Sequence, residues 1–170
     1  EIKHLGEVLR RAAEHKGASF VEVLQNCNIF NDGAWEHVKE AATKKDHNLL
    51  LEHGKPMLFG AQGNKGIRLN RQTMLPEVAD IVDGDTSELL IHDESRPDAS
   101  LAYLLSRMNF PEFPVPMGVL RSVDLPVYEE GIKSQVESAR AKKGKGDLRS
   151  LYFSSDVWTV SHEGEENHPL

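Results

Sequence analysis

Between residues 46 and 86 the apolar residues come in short runs, Leu49 to Leu51, Met57 to Phe59 and Ile67 to Leu69, punctuated by Gly54, Pro56, Gly60, Gly63, Gly66 and Pro76. Proline removes a backbone donor and fixes φ, and glycine loses more freedom on ordering than any other residue, so a long helix cannot cross this stretch. Small strands joined by tight turns are the expectation. Helical spacing lies outside it. Ile2, Leu5, Val8, Leu9, Ala12 and Ala13 form one apolar stripe, with Lys3, Glu7, Arg10, Arg11 and Glu14 opposite and Gly17 as a stop. Ser19 to Leu24 then reads as a strand covered on both faces, and a helix followed by a buried strand predicts an α/β sheet.

Asn31-Asp32-Gly33 predicts a turn and cap before a second amphipathic helix carrying Ala34, Trp35, Val38, Ala41 and Ala42 and ending near Lys44-Lys45. Glu88 to Asp93 reads as a strand. Pro97-Asp98 opens a helix with Leu101, Ala102, Leu104, Leu105 and Met108. Asn109 to Pro116, with prolines at 111, 114 and 116, reads as an extended connector, and Gly118 to Val123 as another strand. Pro126 starts a helix with Val127, Ile132, Gln135, Val136 and Ala139, which runs out in the lysines at 142, 143 and 145. Tyr152, Phe153 and Trp158 are expected to anchor the tail, ahead of the acidic Glu163-Gly164-Glu165-Glu166. Phe110 and Phe113, alternating with prolines, either fold back on the chain's own core or dock on another subunit.

The chain has 170 residues and carries 27 acids against 20 bases, a net charge of −7, which opposes sequence-independent binding to a phosphate backbone. No run approaches 18 apolar residues, so neither a membrane span nor a leader is visible, and a single cysteine cannot form an internal disulfide. A cytoplasmic protein is the expectation. The chain opens at Glu1 in what already reads as helix, so an upstream segment is expected.

Cys27 falls three residues beyond the proposed strand, at the carboxyl end where open α/β sheets bind ligands. A lone cysteine is more commonly a small buried hydrophobe. As a nucleophile it would need a base, for which His37 is the nearby choice, and as an iron–sulfur ligand it would need three more thiolates. The eight histidines show no ligand-like spacing. Gly60 to Gly66 looks superficially like a phosphate loop, but no helix follows and Lys65 precedes Gly66 rather than Ser or Thr, so a hairpin turn is the better reading. His92, Asp93, Glu94, Ser95 and Arg96 could converge at a strand end, although a charged loop with an Arg–carboxylate pair is the plainer alternative.

The stretch KGASFVEVLQNCNIFNDG, residues 16 to 33, resembles the β subunit of the 2-oxoacid:ferredoxin oxidoreductases, particularly the 2-oxoglutarate branch. LLIHDESRPDASLAYLLSRM and PMGVLRSVDLPVYEE, beginning at 89 and 116, resemble the C-terminal region of that subunit. The resemblance implies that residues 1–30 are the last helix and strand of a thiamine-diphosphate-binding α/β domain. It implies that 31–170 are a small α+β C-terminal extension. It also implies that Cys27 is one of four cysteine ligands to a 4Fe–4S cluster, with the other three upstream. The Gly-Asp-Gly-type diphosphate motif and those three cysteines are absent from this chain.

By the same resemblance, the complete enzyme would hold thiamine diphosphate with Mg²⁺. It would oxidatively decarboxylate a 2-oxoacid, hand the acyl group to coenzyme A, and pass electrons through the cluster to ferredoxin. An α subunit is the implied partner, and this chain alone is expected to be inactive. Two other readings stand beside this one. The first is a non-catalytic assembly domain with a structural Cys27, and the second is a small hydrolase using Cys27 and His37.

Overall fold

The computed structural model describes residues 2–158, and helices and strands are mixed along them. The chain divides into two compact units, Glu1–Leu125 and Pro126–Leu170. In the first, helix α1 (Ile2–Glu14) is followed by two single turns, α2 (Glu36–Lys39) and α3 (Lys44–His47). Strand β1 (Asn48–Leu50) lies parallel to β5 (Val115–Met117), and β2 (Leu58–Phe59), β3 (Lys65–Leu69) and β4 (Pro76–Asp80) form an antiparallel meander. Helix α4 (Ser100–Ser106) covers this β layer.

The core joins the short apolar runs to α4. Leu49, Met57, Phe59 and Ile67 pack with Leu101, Leu105 and Met108, and Leu51, Leu90, Leu104, Phe113 and Leu120 lean on them. Leu101, Leu105 and Met108 recur at helical spacing and so reach the β layer from one side of α4 and the turn beyond it. Glycines at 60 and 63, both with positive φ, turn the chain between β2 and β3, where Gly63 N–H donates to Gly60 O at 3.0 Å. The phosphate-loop lookalike is therefore a hairpin turn, and Lys65 belongs to β3.

Several expected elements differ. Residues 18–26 carry no ladder partner among the described residues, and Phe20 is 92% exposed, so the strand over Ser19 to Leu24 does not form here. A strand exists only where its N–H and C=O groups find a neighbour, which β propensity cannot supply. The segment expected as strand 88–93 makes two isolated bridges, Leu89 to Arg68 and Ile91 to Pro56, because Pro56 has no N–H with which to continue a ladder. The expected strand 118–123 lies three residues earlier, as β5. Gly118, at φ +132°, turns the chain away where Leu51 O lies only 3.1 Å from where a Cβ would be. The single helix expected over 34–42 is two four-residue helices, parted at Glu40, whose backbone is extended and whose carbonyl accepts from Thr43 and Lys44 N–H.

The second unit contains α5 (Tyr128–Lys143) and α6 (Leu148–Tyr152). The helix predicted from Pro126 is present, ended by Gly144 with a positive φ. Asp147 caps α6, its Oδ1 accepting from Ser150 N–H at 2.9 Å. Tyr152, Phe153 and Trp158, expected as anchors, are exposed, and the Arg149 guanidinium lies 5.5 Å over the Phe153 ring. His162, His168 and the acidic run at 163–166 lie outside the described residues.

Candidate functional site

Cys27 heads a five-residue turn. Asn31 N–H donates to Cys27 O at 2.9 Å, and the two residues form an antiparallel bridge. The nearby backbone amides of Phe30, Ile29 and, less strongly, Asn31 hold the Cys27 thiol below its ordinary range. Such donors stabilise the thiolate, which is the form that binds soft metals. The thiol is free and half-buried, at the lip of a surface turn rather than in a core.

Flanking side chains support the turn. Asn26 Nδ2 donates to Asn28 Oδ1 at 2.6 Å and to Asp32 Oδ1 at 2.8 Å, while its Oδ1 accepts from Gly33 N–H at 2.8 Å. Gly33 has φ +78°, a conformation that side-chain-bearing residues rarely adopt. Sequence reasoning singled out Asn31-Asp32-Gly33 but missed Asn26. The signal was the density of Asn and Asp at 26, 28, 31 and 32, residue types that bond to nearby backbone and so build turns.

His37 is occupied elsewhere. Its ring packs among Trp35, His47 and Phe110, with centroids 6.1, 6.0 and 4.0 Å away. Its Nε2 is buried with no hydrogen-bond partner, and burial, with a smaller contribution from His47, holds its pKa below the ordinary value. Without a hydrogen bond from His37 Nε2 to the Cys27 sulfur, the hydrolase reading lacks its nucleophile–base contact. This ring cluster was not foreseen, because its members are 75 residues apart at the extremes and share no motif.

The segment 92–96 does not converge. His92, 1% exposed, bonds through Nε2 to Val119 O at 2.8 Å. Asp93 accepts from Ser95 N–H and Oγ–H, Glu94 pairs with Arg11 of α1 at 2.5 and 3.0 Å, and Arg96 pairs with Asp98 at 2.7 Å. This is the charged loop with Arg–carboxylate pairs, and His92 is a core residue. Among the described residues, no group of three His, Cys, Asp or Glu side chains is placed to hold a metal ion. Cys27 fits an iron–sulfur cluster as one thiolate donor of four, and the chain's single cysteine supplies no second.

No family model and no solved structure matches the chain. Among curated proteins, it is 36% identical over 159 residues to the 2-oxoglutarate oxidoreductase subunit KorB of Mycobacterium tuberculosis, covering 92% of this chain and 42% of that subunit. It is 39% identical over 49 residues to the 2-oxoacid:ferredoxin oxidoreductase subunit beta of Saccharolobus solfataricus, covering 29% of this chain and 15% of that protein. The chain thus spans less than half the length of either relative. Among the described residues, no helix is long and apolar enough to cross a membrane. The resemblance read from the sequence is borne out: the curated proteins the chain is similar to include a 2-oxoglutarate oxidoreductase subunit and a 2-oxoacid:ferredoxin oxidoreductase subunit beta.

Proposed function

We propose that this chain is the C-terminal part of the β subunit of a cytoplasmic 2-oxoacid:ferredoxin oxidoreductase, with 2-oxoglutarate as the substrate favoured by its mycobacterial relative. The observation that carries the reading is the Cys27 turn. The sole thiol of the chain stands free and half-exposed at a surface turn closed by the Cys27–Asn31 bridge, a setting suited to one ligand of a cluster completed from outside. Residues 1–30 are then the last helix and strand of a thiamine-diphosphate domain, and 31–170 its extension. The unpaired segment 18–26 and the exposed Phe20, Ile29 and Phe30 agree with such an incomplete sheet edge.

When bound in the complete enzyme, thiamine diphosphate with Mg²⁺ supplies the electron sink for loss of CO₂, and the 4Fe–4S cluster supplies a one-electron route to ferredoxin. The share of this chain is structural and ligating. Cys27 contributes one thiolate, its turn holds that side chain at the surface, and α1 with 18–26 packs against the upstream sheet. The α subunit, coenzyme A and the 2-oxoacid meet residues of the whole assembly.

The test is Cys27→Ser in the complete enzyme. A serine oxygen is a harder and far less acidic ligand, so iron per β subunit falls or the cluster EPR signal changes while thiamine content holds. Unchanged iron and an unchanged signal would reject the assignment. They would favour instead a non-catalytic assembly domain, a reading to which the same exposed apolar side chains lend support.

A further inference from the structure

We propose that helix α5 and the basic turn after it form a docking surface for the acidic protein that takes electrons from the complete enzyme, a ferredoxin. This rests on the reading of the chain as part of a ferredoxin-linked β subunit. Every described residue from 128 to 158 is exposed, so α5 (Tyr128–Lys143) buries none of its 16 residues. A helix of that length is marginal in water by itself, and packing of an amphipathic face is what holds such helices in proteins. Tyr128, Ile132, Val136 and Ala139 stand on one side of α5, three or four residues apart, and form such a face with no cover among the described residues.

Charge decides what fits this face. The stripe runs into Lys143, with Lys142 and Arg140 on either side, and Lys145 and Arg149 follow beyond the helix. Between 140 and 149 the chain carries five bases and one acid, in a protein whose net charge is −7. That acid, Asp147, is engaged in capping α6. Arg10, Arg11, Arg68, Arg71 and Arg96 are all paired with carboxylates, whereas among the described residues Arg140, Lys142, Lys143 and Lys145 make no ion pair. Lys145 lies past the end of α5, so the run is more than the usual match of cations to a helix C-terminus.

A second copy of α5 is a poor occupant. Antiparallel pairing would set three cations against a first turn in which Glu129 borders the stripe and Glu130 stands on the other side of the helix, and parallel pairing would set cations against cations. A partner with a small apolar patch inside an acidic rim satisfies both the stripe and the bases. Redox partners meet through contacts of this kind, small, transient and steered by charge.

The test uses the complete two-subunit enzyme with an acidic ferredoxin as acceptor, and with methyl viologen, a small acceptor that needs no docking surface, as the reference. Lys142→Glu with Lys143→Glu should raise the KM for ferredoxin about tenfold in low salt, and the ratio of ferredoxin-dependent kcat/KM to viologen-dependent rate should fall by the same factor. The gap from wild type should narrow as salt rises. Val136→Ser should raise the same KM while keeping the wild-type salt dependence. Adding ferredoxin should slow amide exchange through 128–143 in the wild type and not in the charge-reversed variant.

An unmoved ferredoxin KM in Lys142→Glu with Lys143→Glu would overturn the proposal. Loss of the α subunit from the variants would overturn it too, by giving the face to assembly. So would lost binding to phosphatidylglycerol vesicles with the KM unmoved, which would give it to a membrane. The two ideas fail differently. If the β-subunit reading is wrong, the wild type itself reduces no ferredoxin and both fall. If only the docking surface is wrong, the wild type reduces ferredoxin and the variants match it.

Discussion

His37 stacks on Phe110, their ring centroids 4.0 Å apart and their planes 18° from parallel. His47 meets the same phenylalanine edge-on at 4.9 Å, so two single-turn helices and the proline-rich connector are held together by rings. Phe110 therefore has a partner within its own chain, and Phe113 leans on the core. The folded-back alternative accounts for Phe113, while Phe110 keeps 42% of its surface open. Phe110→Ser should cost about 1 kcal/mol through loss of the aromatic pair, read as a lowered urea midpoint.

The same cluster predicts a pH dependence. Burial, then His47, lowers the His37 pKa, so the unfolded chain takes up a proton before the folded one does. The contribution of His37 is intact above its unfolded value near 6.5 and is lost as pH falls from there toward the lower folded value. Urea midpoints between pH 8 and 5 should therefore fall less steeply in His37→Phe than in the wild type. Parallel curves for the two proteins would contradict this.

Arg11 and Glu94 tie α1 to the rest of its unit. The helix has 13 residues and buries none of them, and isolated helices of that length are marginal in water. The guanidinium grips the Glu94 carboxylate through both oxygens and holds its pKa below the ordinary carboxylate range. This contribution is present above the unfolded value and is lost as pH falls through the depressed folded value. Arg11→Met should cost about 1 kcal/mol and speed amide exchange through α1, with little change at Ile67.

Gly66 and Gly6 should respond oppositely to alanine. At Gly66 a Cβ would lie 2.5 and 2.7 Å from the methyl carbons of Leu89 and 3.0 Å from Met57 O, where the 89–91 segment threads between 56–57 and 67–68. Overpacking there should cost ~1–3 kcal/mol. Gly6, inside α1, has nothing within 4 Å of its Cβ position, and Gly6→Ala should stabilise by ~0.5–1 kcal/mol. Urea unfolding of both variants checks the pair of signs.

Phe20 and Phe30 are 92% and 89% exposed beside an unpaired stretch of chain. The 170-residue chain alone should bind an apolar dye, and Phe20→Ser with Phe30→Ser should reduce that binding. If the dye signal is unaltered, the exposed apolar surface lies elsewhere.

The helices were legible in the sequence wherever an apolar stripe recurred with a glycine or proline at its end. α1 stops before Gly17, α5 ends at Gly144, and α4 buries Leu101 and Leu105, which stand one turn apart. Such signals are local, since each helix satisfies its own backbone and its ends are set by neighbours in sequence. Cys27 was legible as the one residue needing explanation, through its solitude and the motif around it. Strands were a different matter. Ser19 to Leu24 and Gly118 to Val123 have strand composition yet form no ladder, whereas Val115–Met117 pairs with Asn48–Leu50 from 67 residues away in sequence. A strand is a relation between two segments, so composition proposes it and only the presence, register and reach of a partner decide it. The same holds for His37 on Phe110 and Arg11 on Glu94, contacts between distant residues that no spacing rule connects.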